Sequence, residues 1–260
     1  MQIPLDVLQD LLSRELAFSV WPFFRIAGVF MVAPIFGARL VPMRVRLALT
    51  VAATWVMAPL LPASTQPFEL SFAAFLVVAQ EVVLGIAMGF CLQTIFDALI
   101  VAGQTIAMGM GLGLATMIDP QRGISVPVVS QFFVIMGFLI FLALGGHLAT
   151  VRLLADSFSL LPLGSPLSRD GLWQLANWGS QMFAGAVRIA LPAATSLLVA
   201  NIAFGVMSRA APTLNLFAVG LPAGLLIGFL LLLLNIGHLS ALIAELLQTT
   251  LNGIGAMLRA

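Results

Sequence analysis

The chain alternates long apolar runs with short polar punctuation, and a spanning helix needs about 20 predominantly apolar residues. Residues 16–36 form a first such run interrupted by Arg25, and 47–62 a second that ends at Pro59 and Pro62. The PASTQPFE stretch from Pro62 to Glu69 is rich in turn formers and reads as a loop. Residues 70–96 carry Glu81 within them, 98–118 are uncharged, and 123–151 are uncharged apart from His147. A softer connection follows from Asp156 to Gly171; then 172–208 reads as a pair broken at Arg188 and Pro192, and 210–244 is too long for one simple span. The pattern predicts an all-α membrane protein with five to seven helices, most simply six, organised as one integral membrane domain over residues 1–260. Strands of outer-membrane barrels alternate apolar and polar residues, and these continuous runs do not.

Composition sharpens this picture. Of 260 residues, 61% are hydrophobic and 8% charged, against about 25% charged in soluble domains. All eleven basic residues are arginine and they face ten acids, for a net charge of +1. That balance excludes nucleic-acid binding through a basic patch and excludes disorder, which requires low hydrophobicity. A lone Cys91 supplies neither a disulfide nor a paired metal motif. The N-terminal MQIPLDVLQDLLSRE has acids where a signal peptide has a basic region, so the first apolar stretch is expected to stay as an anchor. The loop holding Arg39, Arg44 and Arg46 is the densest basic cluster and is expected on the cytoplasmic side, with the N-terminus outside. Alternatively, GARLVPMRVR is a helix start whose arginines serve protein contacts.

Several features do not suit helices that face only lipid. Gly109, Gly111 and Gly113 interrupt the run QTIAMGMGLGLATMIDP, and each glycine costs roughly 1 kcal/mol against alanine inside a helix. Asp119 precedes Pro120 and is steered away from helical backbone. The helix starting near Ala98 is therefore expected to loosen before Pro120, and irregular backbone at membrane depth belongs in protein or beside a water-filled cavity. Residues 107–122 are the candidate pore-facing loop, with Met108, Met110, Leu114 and Met117 as flexible apolar tips. The competing reading is close helix packing, since Gly103, Ala107, Gly111 and Ala115 form a small-residue stripe. Gly85 with Gly89, and Gly220 with Gly224 and Gly228, are further small-residue motifs that read as helix or subunit contacts. Arg25, Glu81, Asp97, Arg188 and Glu245 are charges in or beside apolar segments, expensive to bury without partners. They are expected to pair internally, as Arg25 with Glu81, or across subunit contacts. No H-E-x-x-H, P-loop or nucleophile setting occurs, and the isolated His147 and His238 read as hydrogen-bonded structural residues. No enzyme activity, metal or cofactor is expected.

The run RAAPTLNLFAVGLP, Arg209 to Pro222, resembles the signature of the FliR family of flagellar export-gate proteins, shared in more divergent form by virulence-system relatives. VAPIFG with VPMRVR, QEVVLGIAMGF at 80–90, AGQTIAMGMGLGLATMIDP at 102–120 and GGHLATVRLLADSF at 145–158 agree in the same order, so the resemblance covers nearly the full chain. It implies assembly with FliP and FliQ, and association with FlhB, into the gate through which unfolded flagellar subunits cross the bacterial inner membrane at the basal body. It also implies kinked helical hairpins stacked as a spiral, largely above the bilayer, and a pore-sealing plug loop corresponding to Met108 to Arg122. The virulence injectisome counterpart and a secondary transporter are the alternatives; a transporter would show inverted repeats, and no convincing repeat links the two halves.

Overall fold

The computed structural model describes residues 20–38, 41–61, 71–113, 127–210 and 216–260, with 216–219 described by backbone alone. Helices α1 (Val20–Val32) and α2 (Met43–Met57) lead, and a 3-10 turn over Ala58–Leu60 closes α2. Then come α3 (Phe72–Gly109), α4 (Val128–Ala143), α5 (Gly146–Leu160), α6 (Arg169–Asn177), α7 (Gly179–Ala210) and α8 (Leu216–Arg259). No strand occurs among the described residues. Among the described residues four stretches are long and apolar enough to cross a membrane, and the α4–α5 pair makes a fifth as one broken span, against the six helices expected.

Two boundaries differ from the sequence expectation. The segments at 70–96 and 98–118 are one helix of 38 residues. Asp97 does not interrupt it, because the residue is half-buried and not unpartnered. Likewise Pro192 lies inside the 32-residue α7 and Pro222 inside the 44-residue α8, and the real interruption falls earlier, at Trp178. Proline removes one backbone donor, yet apolar helices tolerate it where neighbouring elements hold the chain. The α4–α5 break is set by Gly145, whose φ of +70° is open to glycine without a Cβ penalty. The start of α6 is fixed by Ser168, whose hydroxyl accepts from Gly171 N at 2.9 Å, an N-cap reinforced by Asp170 in the first turn.

The described residues fall into two compact units. One is built from the chain up to Gln93, Gly145–Trp178 and Gln248–Ala260. Its core joins Ile26 and Phe30 of α1, Met88 and Leu92 of α3, Leu154 and Phe158 of α5, and Ile254 and Met257 of α8. The other unit is Thr94–Leu144 with Gly179–Leu247. Here Ser130 of α4 lies against Gly103, where an added Cβ would stand 2.5 Å from the Ser130 Cα, and the Ser130 hydroxyl donates to the Ile100 carbonyl at 3.0 Å. Much of α7 and α8 in this unit exposes large apolar residues such as Val199, Ile202, Leu226 and Leu233, more than a monomer in water leaves uncovered.

Candidate functional site

In the first unit, α1 and α3 cross with their backbones in contact. A Cβ at Gly28 would stand 2.5 Å from the Val82 carbonyl oxygen, one at Gly85 would overlap the Arg25 carbonyl, and one at Gly89 would stand 3.0 Å from the Ala33 amide nitrogen. This close crossing brings Arg25 beside Glu81, both fully buried. Arg25 Nε donates to Glu81 Oε2 at 2.6 Å and Nη2 to Oε1 at 3.2 Å, the fork geometry of a bidentate pair. The remaining nitrogen, Nη1, donates to the carbonyls of Ser157 and Leu161, each at 3.0 Å. Glu81 Oε1 accepts from the Gly164 amide at 3.0 Å, and the guanidinium lies 4.4 Å from the Phe158 ring centroid. One ion pair thus satisfies carbonyls at the end of α5 and pins the non-helical connection that follows. Sequence reasoning named the pair; the carbonyl and amide partners carry no side-chain signal and were not legible.

Charges in the second unit sit differently. Arg188 Nη1 donates to Glu245 Oε1 at 2.9 Å, and both side chains are about 60% exposed. Arg188 of this pair also lines a cavity of about 480 Å³, walled by Ile106, Phe133, Pro192, Leu232 and Leu239, with Asn235 and His238 among its polar lining. In the first unit, the buried Nδ1 of His147 has no partner among the described residues.

Of the candidate pore loop 107–122 the structure describes 107–113, and there α3 ends ahead of Pro120, as expected, in a defined turn. Leu112 N donates to the Ala107 carbonyl and Gly111 N to the Met108 carbonyl, both at 3.0 Å, while Gly111 has φ +84°. Those are the two bonds and the left-handed glycine of a Schellman stop. Met108 and Gly109 therefore belong to the helix and not to a loop. Gly109 packs near Leu197, and its carbonyl accepts from Asn201 Nδ2 at 3.1 Å.

Met110, expected as an apolar tip, is 1% exposed. Its side chain fills the place where a Cβ on Gly228 would stand, and its carbonyl lies 3.5 Å from the Cβ position of Gly224. A Cβ on Gly111 would reach Leu221 Cδ2 at 2.7 Å. The helix end is thus held between α7 and α8, and two glycine motifs read separately in the sequence form one joint through Met110. Gly220 lies at the start of the described face of α8, half-buried. Met108 is 70% exposed, and Gly113 follows it with its Cβ position 3.6 Å from Met108 Cγ. Leu114 and Met117 lie outside the described residues, as do Arg39 and Arg122.

Long apolar helices, a buried ion-pair clasp and a glycine-built helix joint define a polytopic all-α membrane protein. The chain belongs to the bacterial export proteins, family 1, whose family model matches residues 16–250. It is 39% identical over 213 residues to the flagellar biosynthetic protein FliR of Escherichia coli (strain K12), covering 82% of this chain and 81% of the relative. It is 35% identical to FliR of Aquifex aeolicus over 221 residues, 82% of this chain and 83% of that one, and 27% identical to FliR of Bacillus subtilis over 235 residues, 88% and 90% of the two chains.

Proposed function

We propose that this chain is a FliR-type subunit of the export gate of a flagellar type III protein-export apparatus in the bacterial inner membrane. The observation that carries the reading is the match to proteins named FliR over four fifths of both lengths, at 39% identity in the E. coli case. Large apolar residues exposed along α7 and α8 support a chain completed by other subunits, for which FliP, FliQ and FlhB are the partners proposed. In this reading the substrates are unfolded proteins, and the role is passage and sealing rather than catalysis.

The segment from Met108 to Arg122 is the proposed seal. An exposed Met108 in the last turn of α3, at a fixed helix end, supports it, because a constriction of apolar side chains excludes water and ions until displaced. The test is expression in a cell lacking its own FliR. Restored motility together with co-purification of FliP and FliQ is the expected result; a chain that inserts stably but neither binds those subunits nor restores export overturns the reading.

A further inference from the structure

We propose that the cleft between α7 and α8 in the second unit receives an apolar helix of a neighbouring subunit, and that a carboxylate on that helix meets Arg188. The inference rests on the export-gate reading, since it needs a subunit beside this chain. Arg188 and His238 lie on the lining of the cavity of about 480 Å³ whose buried walls include Ile106, Phe133, Ile189 and Leu239. Glu245, the partner of Arg188, is not on that lining. Arginine presents a fork of N–H donors, of which Glu245 engages one, on Nη1; Nε and Nη2 have no partner among the described residues. His238 has none either. Asn235, the third polar residue there, donates its amide to the Leu231 carbonyl of its own helix at 2.7 Å. The open donors of the cleft therefore call for an acceptor, and a carboxylate offers two oxygens to a guanidinium edge.

The mixed character of this face decides between a protein and a solvent. Arg188 and Glu245 are about 60% exposed, and a charge pair left against hydrocarbon is expensive. Acyl chains do not suit it. Val187 and Leu191 beside Arg188, and Leu234 one turn before His238, are each more than half exposed, and apolar area of this kind is unfavourable in water. Bulk water does not suit it either. A helix that brings apolar side chains together with one acid satisfies both sets of groups at once, wherever the face lies relative to the bilayer.

The wall of the cleft on α8 also leaves room for such a helix. Gly237, Ala241 and Glu245 stand at four-residue spacing on one face of α8, all exposed. Nothing among the described residues lies within 4 Å of the Cβ position of Gly237. A glycine costs roughly 1 kcal/mol against alanine inside a helix, and no described neighbour in this chain uses the space it leaves. Small residues at that spacing let a second helix approach closely. Once it is close, the cavity behind them takes one of its bulky apolar side chains, as pockets at subunit contacts take anchor residues. The cavity, the open arginine and the unused glycine thus belong to one strip of surface, and all three lie within the second unit.

The test uses the full chain made in cells with its export subunits. The double change Arg188→Glu with Glu245→Arg keeps an ion pair between the same two positions but puts the acid on the cleft. In detergent the isolated double variant should melt like the parent, because an exposed pair contributes little, while capture of the export subunits on the tagged chain should fall several-fold. Equal capture by the double variant and the parent overturns the role of Arg188. A parent that captures no subunit fails the export-gate reading and the cleft together. In the otherwise unaltered chain, a photo-reactive benzoylphenylalanine is placed at Leu191 or Leu234 and the adducts are sequenced by mass spectrometry. The expected adduct is an apolar peptide of another subunit that holds Asp or Glu; a lipid adduct, no adduct, or a peptide without either acid overturns the assignment.

Discussion

Met110 occupies the space that a side chain on Gly228 would need, so the end of α3 and the middle of α8 share one volume. Neither residue explains itself alone: a methionine fills irregular gaps well, and a glycine permits close approach. Together they make a joint that fixes where α3 stops. Gly228→Ala is expected to destabilise the chain by about 1–3 kcal/mol through overpacking, and Met110→Ala in the same chain should recover part of that loss by vacating the space. Gly224→Ala, whose added Cβ would meet only an ordinary 3.5 Å contact, should be milder. Thermal melts in detergent, followed by fluorescence size exclusion, separate the three; equal losses at Gly224 and Gly228 would refute the joint.

Arg25 and Glu81 predict a different pattern. Removing one partner leaves a buried charge and orphaned backbone groups, so Arg25→Leu or Glu81→Gln is expected to cost about 3–5 kcal/mol. A charge swap should not rescue it, because the Ser157 and Leu161 carbonyls need a donor and the Gly164 amide needs an acceptor. The apolar double replacement Arg25→Met with Glu81→Leu should recover more than the swap does. The yield of folded chain for the four variants decides it, and rescue by the swap alone would show that only the charge pairing matters.

By contrast, Arg188 with Glu245 is an exposed pair in the chain by itself. Such pairs contribute about 0–1 kcal/mol, so Arg188→Ala should leave the melting of the isolated chain almost unchanged. A loss as large as that of Arg25→Leu would mean the pair is far more constrained than its exposure indicates.

The all-α membrane class and the pairing of Arg25 with Glu81 were legible because hydropathy and stranded charge are local properties of the sequence. The plan failed where tertiary contacts override local signals. Asp97 and Pro192 read as interruptions, yet α3 and α7 run through them because neighbouring groups absorb the cost. The reverse occurs at Gly111, where the local glycine signal reads as a loop. It is a helix stop, and only the bonds from Leu112 to Ala107 and from Gly111 to Met108 reveal that. Met110 looked like a tip because its partner Gly228 is more than a hundred residues away in the chain. The arginine-rich stretch before α2 admitted both a topological and a contact reading, and Arg46 takes the second, through Phe36 and Ala38.

The final prediction separates the anchor from the seal. Gly109, Met110 and Gly111 are held by α7 and α8, so removing them should damage folding before it tests any gate. Gly111→Ala illustrates this: its φ of +84° is unfavourable for alanine, and the added methyl would press on Leu221. That variant is expected to lose stability and export together. Deleting Leu114 to Asp119 leaves the helix stop and its contacts intact. If this segment closes the pore, the deletion should yield an assembly that still contains FliP and FliQ yet leaks small ions, seen as growth inhibition at high external salt and as added conductance in planar bilayers. Met108→Asp should leak in the same way, since a charge on an exposed apolar tip draws water into the constriction. An assembled deletion variant that stays tight to ions places the seal elsewhere in the gate and leaves the end of α3 and its Met110 to Leu112 turn with a structural role only.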